Sequence, residues 1–110
     1  MKVKDLSRID GFETVLMKNE DADVLDVYTG DLLSDVIGNV VDDSVLVTVQ
    51  AHKNTIAVGS LASIPAIVLC NGRSCPEDMI KAASENEISL FTTEDNQFHA
   101  SLKIAKALNL

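Results

Sequence analysis

Four polar residues, Gln50, His52, Lys53 and Asn54, follow directly after an apolar run and could carry chemistry. Histidine titrates near neutral pH, so His52 beside Lys53 could act as an acid, a base or a donor to an anion. The alternative is that the segment is only the turn between a strand and a helix, since a loop histidine that simply hydrogen-bonds a carbonyl is commoner. We therefore predict a strand-to-helix turn whose position makes it a candidate ligand rim.

Three other polar loops, residues 29–31, 71–74 and 92–95, also follow apolar runs. Ligands of open α/β sheets bind at the carboxyl ends of the strands. Backbone N–H groups at helix starts, with Lys53 and Arg73, would offer a positive pocket to a small anion or nucleotide. The competing interpretation is that each loop residue caps a helix or turns the chain. The predicted ligand-binding residues are Gly30, Asp31, Gln50, His52, Lys53, Asn54, Asn71 and Gly72.

No catalytic residue is predicted. The chain contains no G-x-x-x-x-G-K-[ST], G-x-G-x-x-G or G-x-S-x-G motif, which argues against an ATP-driven or hydrolytic enzyme. Cys70 and Cys75 fall short of a four-ligand metal site, so no metal and no cofactor is expected. A redox pair stays open, because a helix start would lower the pKa of Cys75. Otherwise Cys70 is buried at a strand end and Cys75 is incidental.

Four apolar runs are the strands that would position these loops: VLDVY (24–28), VLVTV (45–49), AIVLC (66–70) and SLF (89–91). They recur about every 21 to 23 residues, which is typical of consecutive βαβ units. The second and third runs show little polar alternation, as expected of parallel strands covered on both faces. We predict a three-layer α/β domain over residues 1–110, with a mainly parallel sheet of four or five strands and flanking helices.

The segments between the runs have helical periodicity. The first helix is predicted to follow Thr29 as its N-cap, with Asp31 in its first turn. Its predicted apolar face is Leu32, Leu33, Val36, Ile37 and Val40. Val3, Leu6 and Ile9 predict a short helix broken near Gly11, and residues 13–17 (ETVLM) form either another strand or an extended arm.

Two later helices are also signalled. The third is predicted to have Ser74 or Cys75 as its cap and Pro76 in its first turn. Its predicted inward residues are Met79, Ile80 and Ala83. The last is predicted to begin near Thr93, with one inward stripe of Phe98, Leu102, Ala105 and Leu108.

Charge and hydropathy narrow the classes of partner. The chain has 110 residues and a formal net charge of -8, so nucleic acid is not an expected partner. No apolar stretch approaches the roughly 20 residues that cross a bilayer, and the N-terminus has no signal-peptide pattern. We expect a cytoplasmic protein without a membrane partner. The acidic residues are predicted to be a solvated surface; they include Asp5, Asp10, Glu13, Glu20, Asp21, Asp23, Asp42 and Asp43.

The segments VYTGDLLSDVIGNV, VLVTVQAHKNTIAVGSLASIPAIVLCNG and CPEDMIKAASENEISLFTTEDNQF together resemble the DRTGG domain family. The resemblance is strongest over residues 24–105. In that family an Asp-Arg pair follows the second of the four predicted strands, and Thr-Gly-Gly follows the next. His52-Lys53 stand in the first place and Cys70-Asn71-Gly72 in the second, so a basic residue and Gly72 remain from the signature.

DRTGG domains are similar to the N-terminal domain of HPr kinase and occur in CBS-domain pyrophosphatases and in phosphotransacetylases. They are regarded as regulatory or dimerising modules without catalysis, and stand-alone versions occur beside some iron hydrogenase genes. The resemblance implies a non-enzymatic module that forms a homodimer and modulates a partner enzyme, perhaps a hydrogenase-associated one. A sensor of a small anion or nucleotide at the carboxyl-end loops is the alternative. The ligand, the partner and the pathway stay unassigned.

The second predicted helix contains small residues, Ala57, Gly59, Ser60, Ala62 and Ser63, that would allow a second chain to approach closely. The favoured alternative is that this helix packs on its own sheet, since the helices of α/β domains mostly cover the same chain.

Overall fold

The computed structural model describes all 110 residues, which form one domain around a five-stranded sheet. A 3₁₀ helix comes first, at Val3–Arg8. The strands are β1 (Phe12–Leu16), β2 (Asp26–Thr29), β3 (Ser44–Thr48), β4 (Ala66–Leu69) and β5 (Ser89–Thr93). The helices are α1 (Leu33–Asn39), α2 (Lys53–Leu61), α3 (Glu77–Glu85) and α4 (Gln97–Ala107).

The strand order is β1-β5-β4-β3-β2, so β1 and β2 form the two edges of the sheet. β2, β3, β4 and β5 are parallel neighbours in chain order, and β1 pairs antiparallel with β5. The predicted α/β class with a mainly parallel sheet is confirmed. Residues 13–17, for which a strand and an extended arm were both open, contribute to the antiparallel edge strand β1.

Both faces of the sheet are covered, which gives three layers. One hydrophobic cluster includes Leu6 of the 3₁₀ helix and Ile104 of α4, and the other includes Val36 of α1 and Met79 of α3. Neighbouring residues of a strand belong to opposite clusters, as the period of two requires. β3, β4 and most of β5 are therefore buried along their whole length, because neither face meets water.

The start of α1 differs from the prediction. Thr29 is the last residue of β2, and Leu32 occupies the N-cap position. Asp31 lies outside the helix because its carboxylate binds the end of β3. The inward face is narrower than predicted: Val36 is buried, and Leu33 and Val40 pack against the same cluster, whereas Leu32 and Ile37 are exposed.

The start of α4 was also predicted wrongly. Thr93 belongs to β5, and Asn96 is the N-cap, whose side chain accepts a hydrogen bond from the His99 N–H at 2.9 Å. The buried residues of α4 are Ala100 and Ile104, whereas Phe98 is 67% exposed and Leu102 is 39% exposed. Phe98 and Leu102 of the predicted stripe therefore lie on the outer side of this helix, whereas Leu108 packs against the core as predicted.

α3 starts at Glu77, with Pro76 in the N-cap position, so the predicted cap at Ser74 or Cys75 is wrong by one or two residues. Its inward residues Met79 and Ala83 are buried, as predicted.

α2 packs on its own sheet, which was the favoured interpretation. Gly59 is buried, and a Cβ atom there would lie 3.2 Å from Cδ1 of Ile88 and 3.6 Å from Cδ1 of Ile67. The missing side chain therefore lets the sheet side chains of the same chain approach, and Gly59 is not available to a second chain.

We predict that Gly59→Val lowers the free energy of unfolding by about 1–3 kcal/mol, because the added methyl groups overpack this contact. Gly38→Val in α1 is the matched control, because a Cβ at Gly38 meets nothing within 4 Å. Urea unfolding of both variants measures the effect. Equal stabilities of the two variants would contradict the packing role of Gly59.

Candidate functional site

The connections that leave the carboxyl ends of β4 and β5 diverge. The chain after β4 enters α3 on one face of the sheet, and the chain after β5 enters α4 on the other face. Adjacent parallel strands whose connections run to opposite faces leave a crevice between their loops, which is where ligands of open α/β sheets bind. The fold therefore has its crevice beside residues 70–76 and 94–96.

The two loops that form this crevice are hydrogen-bonded to each other. The Asn71 N–H donates to the Asp95 carbonyl at 2.9 Å, and the Gly72 N–H donates to the Thr93 carbonyl at 3.0 Å. Asn71 and Gly72 both have left-handed backbone conformations, with φ of 61° and 68°. A Cβ atom at Gly72 would meet only the flexible end of the Glu94 side chain, so this position favours glycine for its left-handed conformation rather than for space.

A cleft of about 370 Å³ opens between these loops and the edge strand β1. The volume lies near the lower end of the range for small-molecule sites. Its charged groups are Arg73, Glu13 and Glu94. The remaining lining residues are Gly11, Val15, Gly72, Ser74, Cys75, Thr92 and Thr93.

Lys103 on α4 fixes the start of β1 at the mouth of the crevice. Its Nζ lies 2.6 Å from Oδ2 of Asp95 and donates to the Asp10 carbonyl at 2.9 Å. Gly11, with φ of 84°, turns the chain beneath the same ammonium group. The β1 wall of the cleft is therefore tied to both α4 and the loop after β5.

Asp31 connects three elements at the carboxyl edge of the sheet. Its Oδ1 accepts hydrogen bonds from Thr48 Oγ1 at 2.8 Å and from the Val49 N–H at 2.9 Å. Gln97 Nε2 at the start of α4 lies 3.1 Å from the same oxygen. Partial burial opposes the charge, but these hydrogen bonds and the attraction of Arg73 outweigh it, so the pKa of Asp31 is lowered.

The predicted ligand-binding residues fall into two groups. Gln50 Nε2 donates to the Asp31 carbonyl at 3.0 Å, so these two residues lie together. His52 is the N-cap of α2, and its Nδ1 accepts a hydrogen bond from the Asn54 N–H at 3.0 Å. The segment that contains Gln50 and His52 is thus a strand-to-helix turn, as predicted.

The remaining predicted ligand-binding residues are Gly30, Lys53, Asn71 and Gly72. The Gly30 N–H donates to the Val47 carbonyl at 3.1 Å, which extends the pairing of β2 with β3. The Lys53 side chain is exposed and takes part in no ion pair. Only Gly72 of the predicted residues lines the cleft. A ligand role for any of the eight stays a prediction.

Glu13, Gln97 and Lys103 are among the residues at these sites that were not singled out from sequence. Glu13 was assigned to the solvated surface, and Gln97 carried no signal beyond its place before Phe98. Glu13 enters the cleft because β1 pairs with β5, which places Glu13 opposite Thr92. β1 gave little sign of itself in the sequence, because Glu13, Thr14 and Val15 are all exposed and the strand does not alternate.

The cysteine environments contradict a lowered thiol pKa. Burial raises the pKa of Cys75 to about 11, and burial together with the carboxylates of Asp95 and Asp31 raises the pKa of Cys70 to about 11. Cys70 belongs to the cluster beneath α4, whereas Cys75 packs against the cluster on the α1–α3 face. The two thiols therefore face opposite sides of the sheet and do not form the redox pair considered above.

No group of three or more His, Cys, Asp or Glu side chains is arranged to hold a metal ion. No helix has the length and apolar character needed to cross a membrane.

Comparison with known proteins shows the fold. No family model matches the chain, and no curated protein sequence is significantly similar to it. A crystal structure of the CBS and DRTGG domains of the regulatory region of Clostridium perfringens pyrophosphatase, complexed with its activator diadenosine tetraphosphate, is similar with a TM-score of 0.75 and 13% sequence identity. The match covers 97% of this chain and 47% of that chain, so this chain spans about half its length.

The resemblance to the DRTGG family that was inferred from sequence is thereby confirmed at the level of the fold. The similar structure is a regulatory region.

We predict that Asp31→Asn lowers the free energy of unfolding by about 1–2 kcal/mol at pH 7, since it removes charge-assisted hydrogen bonds at a partly solvated site. The folded-state pKa of Asp31 lies below the unfolded value of about 3.9. Its stabilisation is therefore complete above that value and is lost as the pH falls through the lowered pKa.

Urea unfolding at pH 7 and at about pH 3.5 measures this effect, with the exposed Asp42→Asn as the control. The difference between wild type and Asp31→Asn should narrow at the lower pH. A difference that is absent at pH 7, or that stays constant as the pH falls, would contradict the role assigned to the carboxylate.

Proposed function

We propose that the chain is a non-enzymatic regulatory and interaction module that associates with a second copy of itself and modulates a partner protein. The observation that carries this proposal is the similarity of its fold, over 97% of the chain, to a pyrophosphatase regulatory region of CBS and DRTGG domains. Both the dimer and the partner are part of the proposal.

An apolar surface beside the edge strand β2 supports self-association. Gln97 Nε2 donates to the Asp31 carboxylate, so the start of α4, which carries Phe98, adjoins the loop that carries Leu32. Leu32 is 68% exposed and Phe98 is 67% exposed, and Leu102 follows Phe98 by one turn of α4. We call Leu32, Phe98 and Leu102 the corner patch. Clustered exposed apolar side chains of this kind mark interaction sites on soluble proteins.

The edge strand β2 lies next to the corner patch. α4 packs across β2, and the hydroxyl groups of Thr29 and Ser101 are hydrogen-bonded at 2.5 Å. The other edge of β2 has no partner strand. A second copy placed against this corner would cover the apolar side chains and part of the open edge. An open edge exposes unpaired backbone N–H and C=O groups, which tend to pair with another chain.

We predict that Phe98→Lys weakens self-association by about tenfold or more, because burying one such side chain contributes about 1.5–3 kcal/mol. Leu61→Lys is the matched control, because Leu61 is 78% exposed at the end of α2, away from the corner patch. Sedimentation equilibrium gives the dissociation constants, and thermal unfolding verifies the fold. A wild-type monomer, or equal dissociation constants for the two variants, would contradict the proposed interface.

A sensor of a small anion or nucleotide is the second candidate function. It is favoured by the unpaired Lys53 side chain at the start of α2, close to the predicted ligand residues Gln50 and His52. Backbone N–H groups at a helix start attract anions. The pyrophosphatase regulatory region of similar fold was crystallised with a nucleotide, its activator diadenosine tetraphosphate.

The sensor candidate predicts that adenine nucleotides raise the unfolding temperature of the wild type and that Lys53→Ala abolishes the rise, because the binding site loses its cation. Lys106→Ala, an exposed lysine in the last turn of α4, is the control that keeps the rise. A thermal shift titration measures all three proteins. A wild type that shows no shift with adenine nucleotides or acyl phosphates would exclude this function.

A further inference from the structure

Three charged side chains that line the cleft have no bonding partner within the chain. Arg73, Glu13 and Glu94 all line it, and none of them takes part in any ion pair or side-chain hydrogen bond. Most other cations are engaged: Lys2, Lys4, Arg8, Lys18 and Lys103 each pair with a carboxylate. Three unpaired charges, of both signs, therefore share this concave surface.

The backbone that carries the three charged side chains is held by pairing and by hydrogen bonds. Glu13 lies opposite Thr92 in the antiparallel pairing of β1 with β5. Arg73 follows Gly72, whose N–H is bonded to the Thr93 carbonyl, and its own N–H donates to the Cys70 carbonyl at 3.3 Å. Glu94 extends from the end of β5 over Gly72. A ligand that binds these side chains therefore needs little reorganisation of the backbone beneath them.

The cleft also has a small apolar lining, formed by Val15 and Cys75. Val15 is 36% exposed on the outer face of β1. The Cys75 thiol stays protonated at neutral pH because burial raises its pKa to about 11, so it is a neutral wall. This lining suits a short aliphatic chain between polar ends.

We propose that the cleft binds a small diamino acid, a molecule with one carboxylate, two ammonium groups and a short aliphatic stem. One guanidinium and two carboxylates give the site a net charge of −1, which such a ligand with a net charge of +1 complements group by group. Arg73 receives the ligand carboxylate through paired N–H donors. Glu13 and Glu94 receive the two ammonium groups.

This site differs from the predicted nucleotide rim. A polyphosphate would place several negative charges beside Glu13 and Glu94, which disfavours it in the cleft. The two sites share only Gly72 among the residues predicted from sequence. The inference goes beyond the proposed regulatory function, since it names a ligand class for a surface distinct from the corner patch.

L-Lysine is the probe, and isothermal titration calorimetry measures its affinity. The comparators are cadaverine, which lacks the carboxylate, and 6-aminohexanoate, which lacks one amine. We expect saturable L-lysine binding, and each comparator should bind about tenfold more weakly or worse. Amide chemical shifts on titration should change at Val15, Gly72 and Thr92 rather than at Gly30 and Lys53.

Substitutions of the cleft residues test which side chain binds which group of L-lysine. Glu13→Gln and Glu94→Gln should each weaken L-lysine binding by about tenfold or more, and Arg73→Gln should also remove the preference for L-lysine over cadaverine. Glu85→Gln and Lys106→Gln change exposed charges outside the cleft and are the controls. Circular dichroism verifies that each variant is folded.

The absence of saturable heat and of shift changes at about 10 mM L-lysine would overturn the proposal. Binding that all three cleft variants retain unchanged would also overturn it, because the site would then lie elsewhere. Sedimentation of the same samples keeps this test apart from the dimer: association without L-lysine binding overturns only the ligand site, and L-lysine binding by a monomer overturns only the proposed association.

Discussion

The handedness of parallel crossovers constrains this molecule more than any single contact. β2, β3, β4 and β5 are added side by side in chain order, so right-handed connections place α1, α2 and α3 on the same face of the sheet. The other face would then be bare, and it is covered by α4 with the N-terminal 3₁₀ helix. α4 must therefore leave β5 in the direction opposite to α3, and the crevice beside Gly72 is the geometric result.

Some polar side chains at the carboxyl edge of the sheet are bonded within the chain, and others have no partner there. Asp31 and Lys103 are used: the first joins the loop after β2 to β3 and α4, and the second joins α4 to Asp10 and Asp95. Arg73 and Glu94 are left free on a backbone that hydrogen bonds have already fixed. This arrangement suits a ligand site, because the backbone is rigid and the side chains that would contact the ligand have no other partner.

The sequence predicts those features of the fold that depend on the local pattern of apolar residues. The four parallel strands follow from apolar runs whose spacing leaves room for one helix each, and the buried Met79 and Ala83 follow from helical periodicity. The register of α4 could not be obtained this way, because Thr93 and Asn96 are both acceptable caps and only the length of β5 decides between them. The place of Glu13 depends on the non-local pairing of β1 with β5, which no spacing in the chain encodes.

The central claim is that the corner patch joins two copies of this chain, and intermolecular contacts between methyl groups and the Phe98 ring test it most directly. Isotope-filtered NOE spectra of a mixture of labelled and unlabelled protein record only contacts between different chains. We expect cross-chain NOEs from the methyl groups of Leu32 and Leu102 to the Phe98 ring. Cross-chain NOEs confined to another surface, or none at concentrations where the sample is fully folded, would contradict the claim.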